Sequence, residues 1–276
     1  MRRAIIVLSL LLAACAKNIP IETGPPIEAY FCERDNCTAL LANLLNDAAD
    51  AKCALYDVSL PEIQNALKNI EWKTEDGKGP LMHNKFCIIN NSVVWTGSWN
   101  PTRTYKANNA VIIHSPSLAR NYLDEYAELP GGRKHVIYPK ISYNNLLIEN
   151  YFCPEDRCKE RILPYLEGAK QGITFMLADI TDEDFLRQLK RTDIKVEGII
   201  DKSEKEALKQ LPFAAIGSIH HKVFVIDDKT IITGSYNPTR NGNERNDENV
   251  LIVHDYALAR KFLDEYSQLT LSAGAS

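Results

Sequence analysis

The sequence has no excess of basic residues, since 32 Lys and Arg stand against 36 Asp and Glu, for a net charge of −4 over 276 residues. That balance excludes a protein that coats nucleic acid with its whole surface, although it allows a locally basic cleft. The chain is not poor in hydrophobic residues either, because they make up 45% of it and exclude wholesale disorder. Its length allows one large or two modest domains.

The chain also lacks an apolar run long enough to span a membrane. The run AIIVLSLLLAA follows a charged start and has the length of a signal peptide instead. It ends in Leu-Ala-Ala-Cys, which resembles a bacterial lipobox and predicts a lipoprotein-type signal peptide over residues 1–15 with a lipidated Cys15. Residues 16–26 contain Pro and Gly without periodicity and are predicted to be a tether. We therefore expect an extracytoplasmic, membrane-anchored lipoprotein, or a secreted protein if the signal peptide is an ordinary one.

Lipidation of Cys15 would leave six of the seven cysteines. Four of these form two pairs with the same spacing, Cys32 with Cys37 and Cys153 with Cys158. In an oxidising compartment each pair predicts a short-loop disulfide, whereas a zinc site favours tighter C-x₂-C spacing with histidine nearby. Cys53 and Cys87 lie in apolar segments of the first half, where free thiols and a third bridge are both compatible with the sequence.

One half of the chain repeats the other. IEAYFCERDNC from residue 27 matches IENYFCPEDRC from residue 148, and LMHNKFCIINNSVVWTGSWNPTR from residue 81 matches SIHHKVFVIDDKTIITGSYNPTR from residue 218. The offset grows from 121 to 137 between these matches, so the first copy lacks 16 residues, where the second has the strand-like and helix-like run IKVEGIIDKSEKEALKQL. We place the repeats at residues 27–139 and 140–270, followed by a tail at residues 271–276.

Each copy alternates predicted helices and strands. In the second copy GITFMLADI and VEGIID read as strands, CKERILPYLEGAK and ALARKFLDEY read as amphipathic helices, and a hairpin turns at Asp227. This alternation predicts the α/β class, with two homologous repeats. Repeats that pack about a pseudo-twofold axis bring equivalent loops face to face, so we expect one shared active-site cleft with His83 opposite His220.

The repeated hairpin carries the candidate chemistry. Residues two apart on a strand share a face, so His83 projects with Lys85, and His220 projects with Lys222. Each hairpin ends in Gly-Ser-x-Asn, which adds a hydroxyl and an amide in each copy, from Ser98, Asn100, Ser235 and Asn237. Imidazole, ammonium, hydroxyl and amide groups together suit the binding of a phosphate, and the duplication doubles the set.

The pattern His-x-Lys-x₄-Asp followed by Gly-Ser-x-Asn resembles the HKD motif of the phospholipase D superfamily, and the second copy matches it throughout, with Asp227 at the aspartate position. The resemblance covers residues 27–270 and includes the family's Asn-x-Glu-Asn element at residues 246–249. It implies a phosphodiesterase that needs no metal or other cofactor. One neutral histidine would attack phosphorus to form a phosphohistidine, and the other would protonate the leaving oxygen. The lysines and asparagines would stabilise the non-bridging oxygens.

The first copy departs from this pattern at two positions. Asn90 replaces the motif aspartate at the hairpin end, where either residue satisfies a turn backbone. Asn108 stands where the second copy has Glu248, a carboxylate able to fix the tautomer of an imidazole. We expect Glu248 to partner His220 and His83 to lack such a partner, which would make His83 the nucleophile and His220 the general acid. A degraded first site would instead make the chain a pseudoenzyme.

The compact repeats resemble the bacterial nuclease branch of the family, which favours nucleic acid over phospholipid as the substrate. A phospholipase D or a cardiolipin-synthase-like phosphatidyltransferase is the alternative, and a phosphate-binding lipoprotein without catalysis is a further one. Trp99 and Tyr236, inside the Gly-Ser-x-Asn segments, either line the cleft rim for stacking or pack beside the hairpin. Because both motifs lie in one chain, we expect a monomer with an internal pseudo-dimer.

Overall fold

The computed structural model describes residues 19–77, 80–103 and 106–274. The predicted signal peptide, the lipidation site Cys15 and the start of the predicted tether lie outside these ranges. The described residues form two β-sheets with helices packed against them, which confirms the predicted α/β class.

Fifteen strands occur in the described residues. The earlier strands are β1 (Ile21–Glu22), β2 (Glu28–Phe31), β3 (Ala51–Leu55), β4 (Glu71–Lys73), β5 (Lys85–Ile89), β6 (Val93–Gly97) and β7 (Asn109–His114). The later strands are β8 (Lys140–Tyr143), β9 (Leu146–Cys153), β10 (Gly172–Leu177), β11 (Lys195–Asp201), β12 (Ala215–Gly217), β13 (Lys222–Ile226), β14 (Thr230–Gly234) and β15 (Glu248–His254).

The same ranges contain eight α-helices. They are α1 (Cys37–Asn46), α2 (Pro61–Ala66), α3 (Pro116–Glu128), α4 (Cys158–Gly168), α5 (Glu183–Leu189), α6 (Lys205–Gln210), α7 (Arg240–Glu244) and α8 (Tyr256–Gly274). The last helix continues four residues into the segment predicted as a tail. None of these helices combines the length and the apolar character that crossing a bilayer requires.

Each repeat forms the body of one sheet. The first sheet has the strand order β2-β7-β6-β5-β3-β4, and the second has the order β1-β8-β9-β15-β14-β13-β10-β11-β12. The first order recurs inside the second as β9-β15-β14-β13-β10-β11, with the same antiparallel hairpins and the same parallel outer pair. The sheets therefore confirm the internal duplication strand by strand.

The additional segment of the second repeat is smaller than the sequence comparison indicated. Its strand-like part, β11, has a counterpart in β4, because each pairs in parallel with the strand that precedes it in its own repeat. Within the described residues, α6 and β12 are the part without an equivalent in the first sheet. The β12 strand extends the second sheet by one strand and leads into the segment that carries His220.

The described part of the predicted tether, residues 19–26, packs against the second repeat. Strand β1 pairs in parallel with β8 of the second repeat. Beyond it, Gly24 exchanges backbone–side-chain hydrogen bonds of 2.9 and 3.0 Å with Asn144, and the Tyr143 hydroxyl donates to the Pro25 carbonyl at 2.7 Å. Composition alone indicated a flexible segment, but its backbone groups find partners on the β8–β9 hairpin.

The two sheets enclose a central core to which both repeats contribute. Phe31 of the first repeat packs edge-to-face on Phe262 of α8 at 5.2 Å, and Tyr122 of α3 packs in the same way on Phe152 at 5.1 Å. Each sheet buries a separate apolar cluster on its outer face, with α1 and α2 in the first repeat and α4 and α5 in the second. The closing helices α3 and α8 therefore hold the repeats together across their inner faces.

The cysteines pair as predicted. Cys32 is bonded to Cys37, and Cys153 is bonded to Cys158. The third pair, which the sequence left open, is also a disulfide, because Cys53 on β3 lies directly opposite Cys87 on β5.

Candidate active site

The two HKD hairpins are β5–β6 and β13–β14, as predicted. Each turn begins with two residues in the left-handed region, at φ of 51° and 54° for Asn90 and Asn91 and of 52° and 56° for Asp227 and Asp228. Asn and Asp tolerate this conformation better than other non-glycine residues, which explains the residue types at both turns.

The motif aspartate anchors a turn and lies away from the histidines. The Asp227 carboxylate accepts three backbone N–H groups of residues 170–172, at 2.7 to 3.1 Å. Asn90 accepts two N–H groups just ahead of β3 with its Oδ1 atom, at 2.9 and 3.1 Å. An amide oxygen thus performs the same backbone-capping task in the first copy.

The segments that carry the two histidines cross between the repeats. The His83 backbone N–H donates to the Asp247 carbonyl at 3.0 Å, and the His220 N–H donates to the Ala107 carbonyl at 2.7 Å. Short parallel bridges, Met82 with Asp247 and Ala107 with Ile219, accompany these bonds. Each motif histidine, just ahead of its own hairpin, is therefore hydrogen-bonded to a segment of the other repeat. That segment leads into β15 for His83 and into β7 for His220.

This crossing reverses the predicted histidine partners. Nδ1 of His83 lies 2.8 and 2.9 Å from the two carboxylate oxygens of Glu248. Nδ1 of His220 lies 2.9 Å from Asn108 Oδ1 and 3.0 Å from the Ser98 carbonyl. The prediction that Glu248 partners His220 was wrong, because it paired each histidine with a residue of its own repeat.

The partners fix the tautomer of both rings. A carboxylate or a carbonyl oxygen can only accept, so Nδ1 carries the proton in His83 and in His220, and Nε2 is the basic nitrogen of each neutral ring. Burial is the main cause that lowers the pKa of both histidines, and in His83 the charge of Glu248 opposes it. Both rings are thus set up to be neutral in the free protein, with Nε2 available for chemistry.

The two motif serines hold these partners in place. The Ser235 hydroxyl donates to Glu248 at 2.6 Å, and the Ser98 hydroxyl lies 3.3 Å from Asn108 Oδ1. Both serines are completely buried and their hydroxyls contact the histidines' partners, so their role as substrate ligands stays a prediction that these contacts do not support. Asn100 and Asn237 remain candidate substrate-binding residues, because the buried Oδ1 atom of each has no hydrogen-bond partner in the described residues.

Both motif lysines are buried beside the histidines. Lys85 Nζ donates to the His83 carbonyl at 2.7 Å, and Lys222 Nζ donates to the His220 carbonyl at 2.9 Å. Burial lowers the pKa of Lys85 to about 7 and that of Lys222 well below its usual range. A phosphate that reaches this site meets two cationic groups whose charge is sensitive to their surroundings.

Sequence reasoning missed an aromatic wall on the first-repeat side. The ring of Tyr56, just after β3, packs edge-to-face on His83 at 4.9 Å, and Lys85 Nζ lies 5.1 Å from the centre of the same ring. The equivalent residue of the second repeat is Ala178. The aligned segments ALYD and MLAD could have drawn attention to this difference at the end of a strand.

Other candidates take structural positions. Trp99 and Tyr236 are 6% and 4% exposed, so they pack beside their hairpins instead of offering a stacking surface. His221 faces away from the site, as predicted, and its Nδ1 lies 3.0 Å from Asn109 Oδ1.

One group of side chains has the spacing of metal ligands. Ligand atoms of Glu33, His221 and Glu265 all lie within 4.8 Å of one another. However, Arg34 already forms an ion pair with Glu265, and burial together with a hydrogen bond to Glu265 raises the pKa of Glu33 to about 7. These side chains are therefore better explained as polar contacts that hold the two repeats together than as the ligands of a metal ion.

A groove of about 380 Å³ opens beside the histidine site. Asn108, the partner of His220, lines it together with Trp99, Arg103 and Lys106. Lys106 is ion-paired with the buried Asp201 at 3.0 Å, while Arg103 is exposed. Glu33 and Asp35 also line the groove, so the partner of His220 borders a groove with side chains of both charges.

Comparison with known proteins agrees with this geometry. The family model described as "Cardiolipin synthase, PLD-like domain" matches residues 41–129 and 199–270, more than half of the chain. The chain belongs to the phospholipase D superfamily. Membership places it among enzymes that act on phosphodiesters, of the phospholipase D or cardiolipin-synthase-like type.

Three known proteins are similar to this chain to different extents. The phospholipase D of Rickettsia typhi is 30% identical over 148 residues, which cover 48% of this chain and 72% of that protein. The phosphatidylserine synthase of Haemophilus influenzae has a similar fold, with a TM-score of 0.64 and 10% identity over 89% of this chain and 86% of that one. Nuc, a phospholipase D family member from Salmonella typhimurium, has a TM-score of 0.42 and 24% identity over 44% of this chain and 92% of its own.

Proposed function

We propose that the protein hydrolyses phosphodiesters through a phosphohistidine intermediate at a site shared by its two repeats. The observation that carries the proposal is the pair of crossed histidine contacts, His83 with Glu248 and His220 with Asn108. Two rings with Nδ1 protonated and Nε2 basic, beside two buried lysines, are the groups that a two-step displacement at phosphorus needs.

In the first step Nε2 of His83 attacks phosphorus. The N–P bond forms while the bond from phosphorus to the leaving oxygen breaks, and His220 gives its Nε2 proton to that oxygen. The bound phosphodiester anion favours the protonated form of His220. In the second step a water attacks phosphorus, His220 takes its proton, and the N–P bond breaks to release the phosphomonoester.

Glu248 supports His83 as the nucleophile for a reason different from the one predicted. A histidine that bonds to phosphorus through Nε2 while keeping its Nδ1 proton acquires positive charge, which a carboxylate on that proton stabilises. Asn108 and the Ser98 carbonyl are uncharged, so they stabilise the His220 cation less and leave it a stronger acid. Lys85 and Lys222 would neutralise the non-bridging oxygens, so the scheme uses lysine charge where other phosphoryl-transfer sites use metal ions.

Nucleic acid is the substrate we propose first. The groove beside Asn108 leads to the exposed Arg103, which is a suitable position for a neighbouring phosphate of a chain. Phospholipid is the second candidate, and it is favoured by the relative from Rickettsia typhi, whose name is phospholipase D.

The test is an assay of the purified protein in EDTA with single-stranded DNA, phosphatidylcholine and cardiolipin as separate substrates. Cleavage of DNA alone supports the first proposal, and release of phosphatidic acid or a lipid headgroup supports the second. Loss of turnover in His83→Ala and His220→Ala must accompany either result. Binding of these substrates without turnover would leave only the phosphate-binding alternative.

We also propose that the protein acts as a membrane-anchored, extracytoplasmic lipoprotein and as a monomer. The lipobox-like segment ending at Cys15 supports the first statement, and the presence of both motifs in one chain supports the second. Metabolic labelling with a radioactive fatty acid, compared between the wild type and Cys15→Ala, tests the anchor. Light scattering of the soluble protein tests the monomer.

A further inference from the structure

Two aspartates that the HKD motif does not include lie beside the motif lysines. In the first repeat β3 pairs with β5 so that Leu55 is opposite Lys85, and the Tyr56 N–H continues the ladder to the Asn84 carbonyl at 3.1 Å. Continued by one residue beyond this hydrogen bond, the same register puts Asp57 level with His83. Since residues opposite each other or diagonal across a ladder share a face, Asp57 lies on the face of the sheet that carries His83 and Lys85.

The second repeat has the same arrangement. Leu177 is opposite Lys222, and the Ala178 N–H donates to the His221 carbonyl at 2.8 Å. Asp179 is therefore opposite His220, on the face that carries Lys222. The repetition of one aspartate at one register position in both repeats is independent of the two motifs and of the Glu248 and Asn108 positions.

We propose that Asp57 and Asp179, through their charge on the same face of each sheet, keep the ammonium groups of Lys85 and Lys222 protonated for binding a phosphate. The lysines need such help because each is buried, where its ammonium group donates to the uncharged backbone carbonyl of the neighbouring motif histidine. A neutral lysine would offer the developing charge on the phosphoryl oxygens far less stabilisation. The inference rests on the proposed hydrolytic function.

The charges around each lysine show why these aspartates matter. Burial lowers the pKa of Lys85, and the charges of Glu248 and Asp57 oppose this effect. Burial also lowers the pKa of Lys222, where the charges of Glu248 and Asp179 favour the protonated form and those of Lys85 and Lys106 disfavour it.

The second aspartate has an additional neighbour. Asp179 is hydrogen-bonded to Glu204, which caps α6 in the segment without a counterpart in the first repeat. Burial and the nearby Asp179 raise the pKa of Glu204 to about 7, and burial also raises the pKa of Asp179. Asp57 is exposed by comparison, and solvent weakens its effect on Lys85.

The kinetic test compares the pH dependence of kcat/KM for the wild type, Asp57→Asn, Asp179→Asn and the control Asp228→Asn. Asp228 is exposed at the hairpin turn, and its equivalent in the first repeat is already an asparagine. We expect the alkaline limb to move to lower pH by about one unit in Asp179→Asn, by less in Asp57→Asn, and not in Asp228→Asn. A uniform loss of rate with an unchanged profile would overturn the proposal, because that is the effect of a merely structural residue.

A direct measurement separates this inference from the proposed function. Protein labelled with ¹⁵N-lysine reports the titration of each Nζ by NMR, with Lys85→Arg and Lys222→Arg providing the assignments. We expect Asp57→Asn to lower the pKa of Lys85 most and Asp179→Asn to lower that of Lys222 most. If neither pKa moves, the inference fails even in an active enzyme. If the pKa values move but the wild type cleaves no phosphodiester, the proposed function fails and the charge coupling stands.

Discussion

Glu248 of the second repeat accepts the Nδ1 proton of His83 in the first repeat, at 2.8 Å. The reciprocal contact, from His220 of the second repeat to Asn108 of the first, is uncharged. The two histidines of one site therefore differ in a way that their matching motifs do not reveal.

The variants His83→Ala and His220→Ala should differ in the substrates that they can still cleave. His220→Ala should retain measurable cleavage of bis(p-nitrophenyl) phosphate, because its leaving group needs little protonation, while His83→Ala should lose cleavage of that substrate and of DNA or lipid alike. Burst kinetics with the activated substrate would measure this, and His135→Ala, at an exposed histidine, is the control. Retained cleavage in His83→Ala and complete loss in His220→Ala would reverse the assigned roles.

Replacing Asn108 with aspartate should change the pH dependence. A carboxylate beside Nδ1 raises the pKa of His220. Because His220 must be protonated to act as the acid, activity falls as pH rises through that pKa, so Asn108→Asp should move this limb to higher pH by about one unit. The control Asn91→Asp copies the aspartate that the second repeat has at its equivalent turn position. An unmoved limb in the pH profile of kcat would show that His220 is not the acid.

The turn at Asp227 should depend on both the hydrogen-bond acceptor and the charge of its carboxylate. Asp227→Ala leaves three backbone N–H groups without their acceptor and should cost about 2 kcal/mol of unfolding free energy, whereas Asp227→Asn keeps an acceptor and should cost about half as much. The backbone hydrogen bonds lower the pKa of Asp227, although burial opposes them. Its charge therefore stabilises the fold above the unfolded-state pKa, and this contribution is lost as pH falls through the lower folded-state pKa. Urea unfolding of the three proteins measures this; equal losses in both variants would contradict it.

The Cys53–Cys87 disulfide should be the most stabilising of the three. It closes a sequence separation of 34 residues, against 5 for each of the others. Chain-entropy reasoning gives about 3 to 4 kcal/mol for the long loop and about 2 kcal/mol for a short one. Peptide mapping without reduction should find all three pairs, and Cys53→Ala/Cys87→Ala should lose more stability than Cys32→Ser/Cys37→Ser. Free thiols at all positions in protein exported from its host would contradict the assignment.

The sequence was informative where the signal is local. The hairpins, their turns at Asn90 and Asp227, and the Cys32–Cys37 type of loop follow from spacing and backbone preference within about ten residues. The partners of His83 and His220 did not follow, because which strand end meets which hairpin is decided by the packing of two sheets through residues such as Phe31 and Phe262.

The serines show the same limit. Ser98 and Ser235 have the composition of substrate ligands, and a motif cannot show that they lie behind the histidines' partners. Ile21 and Glu22 likewise gave no sign that they would pair with β8, because a two-residue strand has no periodicity.

The crossed histidine contacts also bear on how such a chain can evolve. If two identical subunits formed this site, a substitution at the partner position would appear beside both histidines at once, and the acid and the nucleophile would have the same surroundings. In a single chain with two copies, Asn108 and Glu248 are separate positions that can be altered one at a time. Joining the repeats thus allows each histidine to be tuned for its own role through a residue that the other repeat supplies.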